Sequence, residues 1–333
     1  MQLEKRKELL VRLGEYMMSN EEGWMEAKKR AQEENGWFIP EFVTLSVENI
    51  ASDYLQPASI DTLIDRYHLS HEISTRKKVG IVMAGNIPLV GCHDFLCVFL
   101  SGHFSFIKAS SKDDVLLKHL VQTMEEWEPD MREQVEFGSL LKNCDAYIAT
   151  GSNNSSRYFT FYFKKYPHII RRNRTSVAVL TGNETIEELQ KLADDVYQYF
   201  GLGCRNVTKI FVPKNYDFVP MLEAFKKYDH LSYHNKYKNN YDYQLAIHLL
   251  NNRYYMTNGS ILLIEESALY SPISQLNYEY YVAINEVQKK LHDNEAIQCV
   301  VSDESTGFGE AQKPGICDFA DGVDTMAFLS SLA

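Results

Sequence analysis

From Lys78 onward the chain alternates short apolar runs with longer amphipathic stretches, and this alternation restricts the fold more than any other feature. KVGIVMAG, HFSFIKAS and CDAYIATGS are apolar runs closed by small or polar residues. Between them lie NIPLVGCHDFLCVFLSG and KDDVLLKHLVQTMEEW, which read as helices, with VEFGSL as a further short strand. NNSSRYFTFYFKKY begins another helix directly after the last glycine. Apolar runs without alternation are strands buried on both faces, the pattern of a parallel sheet covered by helices. Strand–helix–strand order therefore predicts a doubly wound α/β unit. Ligands of such sheets gather where strand carboxyl ends meet helix N-termini. The loops AGNIP, KASSKD and ATGSNN all fall on that edge.

Residues 1–75 read differently, as a helical segment. Leu9, Leu10, Leu13 and Met17 recur at helical spacing, and a second helix over Glu21 to Glu34 is broken at Asn35, Gly36 and Pro40. Two shorter helices follow, and the segment is expected to serve packing. Residues 76–172 form the expected Rossmann-like dinucleotide-binding domain. After Arg171–Arg172 a second α/β unit is expected over 173–333, with strands TSVAVLTG, NVTKIFVP, SILLIEE and AIQCVVS. YHNKYKNNYDYQ, Tyr233 to Gln244, reads as a loop opening into a helix, and FGEAQKPGICDFADGVDTMAFL as an irregular tail.

Composition removes several functions. A formal charge of −11 with dispersed Lys and Arg offers no basic stripe for nucleic acid. No apolar run reaches the roughly 18–20 residues of a membrane span, and MQLEKRKELLVRLGEYM lacks an apolar signal core. Six cysteines without CxxC spacing predict neither a zinc site nor a disulfide framework. The expectation is a cytoplasmic protein with reduced thiols and no metal.

One cysteine stands apart. In YFGLGCRNVTKIFVP, Cys204 follows a Gly-Leu-Gly turn and precedes a strand. A catalytic cysteine needs partial exposure, a route to the thiolate and donors for an oxyanion. Free cysteine is also among the most buried residue types, and the residues around Cys204 leave both readings open.

Four motifs in order carry a resemblance. GLGCRNVTKIFVP resembles the nucleophile region of the aldehyde dehydrogenase superfamily, in which a glycine three residues earlier opens the turn. AGNIP resembles its asparagine turn after the first strand, KASSKD its Lys-Pro-Ala-Glu cofactor motif, and ATGS its Thr-Gly-Ser turn. The resemblance implies that Cys204 is the nucleophile, with the Asn86 amide and the Cys204 N–H holding the oxyanion. It implies that Lys108 meets the cofactor ribose and that Gly151 and Ser152 sit at the pyrophosphate. Read without it, Asn86 and Ser152 are equally helix N-caps and Lys108 a solvated strand end.

Two departures refine the implication. Counting back without gaps from Cys204 puts Ile170 where aldehyde-oxidising members carry the glutamate that activates water. Thiol release is then the expected chemistry, between an acyl-CoA and an aldehyde. Ser111, followed by Lys112, stands where many NAD-preferring members have a ribose-binding glutamate, which favours NADPH over NADH. Arg171, Arg172 and Arg174 read as a solvated turn or a coenzyme A phosphate site, and His93, His103 and His168 as structural. GLGCRN and AQKPGICDFADGVDTMAFL resemble the bacterial acyl-CoA reductases, the reductase subunit type of the bioluminescence fatty-acid reductase complex. That likeness implies an aldehyde dehydrogenase-like α/β fold with two parallel-sheet domains. It implies NADPH-dependent reduction of a fatty acyl-CoA or acyl-protein thioester through an acyl-cysteine. An acyl-protein synthetase partner and a homo-oligomer belong to the same expectation. Reduction of an acyl phosphate and a non-catalytic scaffold on the same fold are the rival readings.

Overall fold

The computed structural model, which describes residues 1–73, 75–292 and 294–332, opens with four helices: α1 (Leu3–Met17), α2 (Glu22–Glu34), α3 (Pro40–Asp53) and α4 (Pro57–Tyr67). Leu9, Leu10, Leu13 and Met17 form the buried stripe of α1, as their spacing requires. Proline starts both α3 and α4, where its fixed φ suits a first helical turn and its missing N–H costs nothing. These helices share one hydrophobic core with the sheet that follows, so they are its packing layer.

That sheet is built from β1 (Lys78–Val82), α5 (Cys92–Ser101), β2 (Phe104–Lys108), α6 (Val115–Trp127), β3 (Val135–Phe137), β4 (Ala146–Thr150), α7 (Asn153–Phe163) and β5 (His168–Arg171). Its strands are all parallel, in the order β3-β2-β1-β4-β5. The order reverses at β1, so the loop after β1 lies at the topological switch point where such sheets hold ligands. Helix α5 is buried almost all round, which its apolar sequence CHDFLCVFLS dictates. HIIR, unassigned in the sequence, becomes β5 because Ile169 and Ile170 pair with Ile148 and Ala149 of β4.

The second sheet arises from β6 (Thr175–Val179), α8 (Ile186–Tyr197), β7 (Val207–Pro213), α9 (Val219–Ala224), α10 (Asn235–Leu250), β8 (Met256–Thr257), β9 (Leu262–Glu265), β10 (Gln275–Tyr281), α11 (Ile284–Leu291) and β11 (Ile297–Val301). Its order is β11-β6-β7-β10-β9-β8. Five strands are parallel, as expected of an α/β domain, and the two-residue β8 adds an antiparallel edge on β9. The connection is too short for a crossover, and Asn258 Oδ1 closes it by accepting the N–H groups of Ser260 and Ile261 at 3.0 and 3.2 Å. Tyr233 to Gln244 is mostly helix rather than loop: Tyr237 and Tyr241, one turn apart, bury a stripe on α10. Helix α8 starts with a full capping box between Thr185 and Glu188.

Two compact units result, Met1–Asn173 with Pro314–Ala333 and Arg174–Lys313. The tail, assigned from sequence to the segment 173–333, thus groups with the first unit. Its helix α12 (Thr325–Ser330) buries Met326 and Leu329 in the first core. Polar ties hold it there: Tyr67 donates to Asp324 (2.7 Å), and His93 and His103 bond the carbonyls of Ile316 and Leu329 (2.9 and 3.1 Å). Those two histidines therefore have structural work.

Candidate active site

After β1 the chain runs through residues 83–91 before α5, whose N-cap is Gly91. Asn86 lies half-buried within this loop and caps no helix. Gly85 brings the loop against the one after β2. A Cβ on Gly85 would meet Ser110 Oγ at 2.5 Å and Ser110 Cβ at 2.6 Å, closer than real contacts. Leu89, left-handed at φ 56°, donates its N–H to Asp113 Oδ2 at 2.8 Å. The AGNIP and KASSKD loops are thus one packed assembly. Gly85→Ala should separate them, costing about 1–3 kcal/mol by overpacking, which thermal unfolding checks.

Lys108 ends β2 in solvent, and Ser111 and Lys112 are exposed in the following loop. The buried Asn35 amide donates to the Lys112 carbonyl at 3.0 Å, so the N-terminal helices shape this loop. Neither carboxylate of the loop points to solvent unpaired: Asp113 is buried on Leu89, and Asp114 pairs with Lys118. Burial pushes the Asp113 carboxyl up to about 7, against the lowering effect of its backbone donors. A carboxyl raised in the folded state contributes stability below its unfolded value, and that stability is lost as pH rises through the folded value. The unfolding midpoint should therefore fall from about pH 4 to about pH 7, and Asp113→Asn should flatten part of that slope in chemical denaturation.

At the end of β4, Gly151 leads into α7 and Ser152 is its N-cap, Oγ accepting the Ser155 N–H at 3.2 Å. A Cβ on Gly151 would press on Phe159 and Ser155 at 3.0 Å. Asn86, Lys108, Ser111, Lys112, Gly151 and Ser152 all lie at the carboxyl edge of the first sheet. Cys204 belongs to the second unit.

The turn carrying Cys204 has unusual backbone. Tyr199, Phe200 and Gly201 are consecutive left-handed residues, with φ of 54°, 58° and 74°. Each non-glycine residue there costs about 1–2 kcal/mol, offset by burying both rings. Asn206, fully buried, ties the turn together. Its Oδ1 accepts the Gly203 N–H at 2.8 Å, and its amide donates to the carbonyls of Gln198 (2.8 Å) and Asp195 (3.1 Å) at the end of α8. Its backbone N–H bonds the Gly203 carbonyl at 3.2 Å, which closes a four-residue turn around half-buried Cys204 and Arg205. Ser176 of β6 donates its hydroxyl to the Cys204 carbonyl at 3.1 Å.

A sequence model of the acyl-CoA reductase (LuxC) family matches residues 47–227, more than half the chain, a span that includes Asn86, Lys108, Ser111, Lys112, Gly151, Ser152 and Cys204. The chain belongs to that family. No curated protein sequence matches it. The fold is that of the aldehyde dehydrogenases. Aldehyde dehydrogenase 21 of Physcomitrella patens, solved with the reaction product succinate, superposes with a TM-score of 0.66 at 11% identity, over 91% of this chain and 74% of that one. Succinic semialdehyde dehydrogenase of Streptococcus pyogenes, solved with NADP+, gives 0.65 at 14% identity, over 90% and 76%. An oxidoreductase of Marinobacter aquaeolei gives 0.65 at 12%, over 95% and 77%.

Within this acyl-CoA reductase family member three of the other cysteines lie deeper than Cys204. Cys92, Cys97 and Cys144 are buried, and burial pushes all three thiols up, Cys92 to about 12. Cys299 is raised by the same cause. Arg171 is neither a solvated turn nor a phosphate site: it is buried, pairs with Asp94 and donates to Thr325 at 2.8 Å. Arg172 is exposed. Sequence reasoning missed Asp113, Ser176 and Asn206. Asn206 had a signal in its place two residues after the cysteine, whereas Ser176 is brought in by strand pairing alone. Among the described residues no cluster of His, Cys, Asp and Glu could hold a metal, and no helix is long and apolar enough to cross a membrane.

Proposed function

We propose that this chain reduces a fatty acyl-CoA, or another acyl thioester, to the aldehyde through an acyl group held on Cys204. The observation that carries the proposal is the half-exposed Cys204 on a turn clamped by Asn206 and Ser176, within a member of the acyl-CoA reductase family. The Cys204 thiolate attacks the thioester carbonyl carbon, forming a new C–S bond. The bond to coenzyme A breaks, and that thiol leaves with its electron pair. The Cys204 N–H holds the charge that develops on the carbonyl oxygen. A bound nicotinamide supplies the hydride for reduction.

The cofactor edge suits NADPH. Exposed Lys108 and Lys112 offer cations, while both loop carboxylates are engaged elsewhere, so a 2′-phosphate meets attraction and no opposing charge. The first turn of α7 after Gly151 suits the pyrophosphate. Ile170, paired with Ala149 in β5, brings no carboxylate to activate water, which favours thiol over water as acyl acceptor. Intact mass spectrometry after mixing with a fatty acyl-CoA should show one acyl addition, discharged as aldehyde on adding NADPH faster than on adding NADH. A wild-type protein that never gains acyl mass would sink the reading.

A further inference from the structure

Both peptide planes flanking Cys204 are held by hydrogen bonds, and each of the holding groups comes from a different place in the fold. The carbonyl of the Gly203–Cys204 peptide accepts the Asn206 N–H at 3.2 Å. The carbonyl of the Cys204–Arg205 peptide accepts the Ser176 hydroxyl at 3.1 Å. A peptide is planar and trans, so fixing a carbonyl fixes the opposite direction for its N–H. The N–H of the first of these planes is that of Cys204 itself.

We infer that Asn206, holding the plane that carries the Cys204 N–H, and Ser176, holding the plane after it, are positioning residues that together fix the backbone on both sides of Cys204 so that its N–H faces an oxyanion; this rests on the acyl-transfer reading above. Asn206 suits the task because one short side chain must accept and donate at once. Its carbonyl takes the Gly203 N–H, and its amide reaches the Gln198 and Asp195 carbonyls. Aspartate would lose the donors, and glutamine would be a methylene too long. The amide thereby anchors the nucleophile turn to the end of α8 just where three left-handed residues redirect the chain. Ser176 is fully buried in β6, and its Oγ in turn accepts the Cys299 N–H at 3.2 Å, which orients its hydroxyl toward Cys204. Cys299, whose Sγ lies 3.1 Å from that Oγ, is then a support and not a second nucleophile.

The test compares two reactions at one sulfur. Acyl transfer from a fatty acyl-CoA builds an oxyanion; alkylation by iodoacetamide does not. In Ser176→Ala, acylation of Cys204 should slow by about 10- to 100-fold, with KM for the acyl-CoA unchanged and alkylation near the wild-type rate. Ser176→Thr, which keeps the hydroxyl, should recover most of the acylation rate. Asn206→Asp disturbs the same turn from the other side and should show the same split between the two reactions, which keeps the test alive if one variant fails to fold. Acylation at the wild-type rate in these variants, or an equal fall in both reactions, would overturn the inference while leaving the acyl-transfer reading intact. A wild-type chain that alkylates but never acylates would overturn both.

Discussion

Cys204→Ala is expected to gain no acyl mass from a fatty acyl-CoA and to lose acyl-dependent NADPH oxidation by about 10⁴- to 10⁶-fold, the usual cost of deleting a covalent nucleophile. The fold should tolerate the change, since Cys204 is half-exposed and its ties run through backbone atoms. Cys92→Ala and Cys299→Ala serve as controls and should keep the adduct, because burial holds both thiols in the protonated form. Cys317 is the stricter control, being half-buried like Cys204 but in the first unit. An adduct that persists in Cys204→Ala and maps to Cys317 would assign the chemistry to the wrong residue.

The second large effect is on stability. Arg171→Met should destabilise the first unit by about 3–5 kcal/mol, the usual result of removing one partner of a buried ion pair. Arg171 and Asp94 are both buried, and the guanidinium also holds Thr325 at the start of α12. The substitution leaves the Asp94 carboxylate desolvated without its cation. Adding Asp94→Leu should recover most of the loss, because two apolar side chains replace the pair without an orphaned charge. Urea unfolding of both variants separates this from a role in ligand binding. A single variant as stable as wild type would show that the pair contributes nothing.

Much of the fold was legible because β1, β2, β4, β6 and β7 are short, mostly apolar runs bounded by small or polar residues. The elements that escaped lack that signature. β5 is four residues flanked by charges, and QLNYEYY of β10 buries a polar Asn277 whose amide is satisfied by the Ala268 and Tyr270 carbonyls. The first half of α10 hid because its buried stripe is tyrosine rather than aliphatic. In the site, motif order pointed to Asn86, Lys108 and Cys204, yet not to what holds them. Gly85 matters through its distance to Ser110, and Asp113 through Leu89, contacts that exist only after β1 and β2 pair. Arg171 was misread because two adjacent arginines look solvent-facing, although the alternation of β5 buries only the first.

The placement of α12 bears on how the chain is made. A ribosome releases the chain from its N-terminus at about 5–20 residues per second, so Leu329 follows Leu100 by roughly 10–45 s. Throughout that interval α5 is present without the helix that packs on it. Residues 174–313, by contrast, form an uninterrupted stretch that can close its own sheet as soon as it emerges. The unit synthesised second is therefore the first able to finish, and the nascent first unit carries an open apolar face that chaperones would meet.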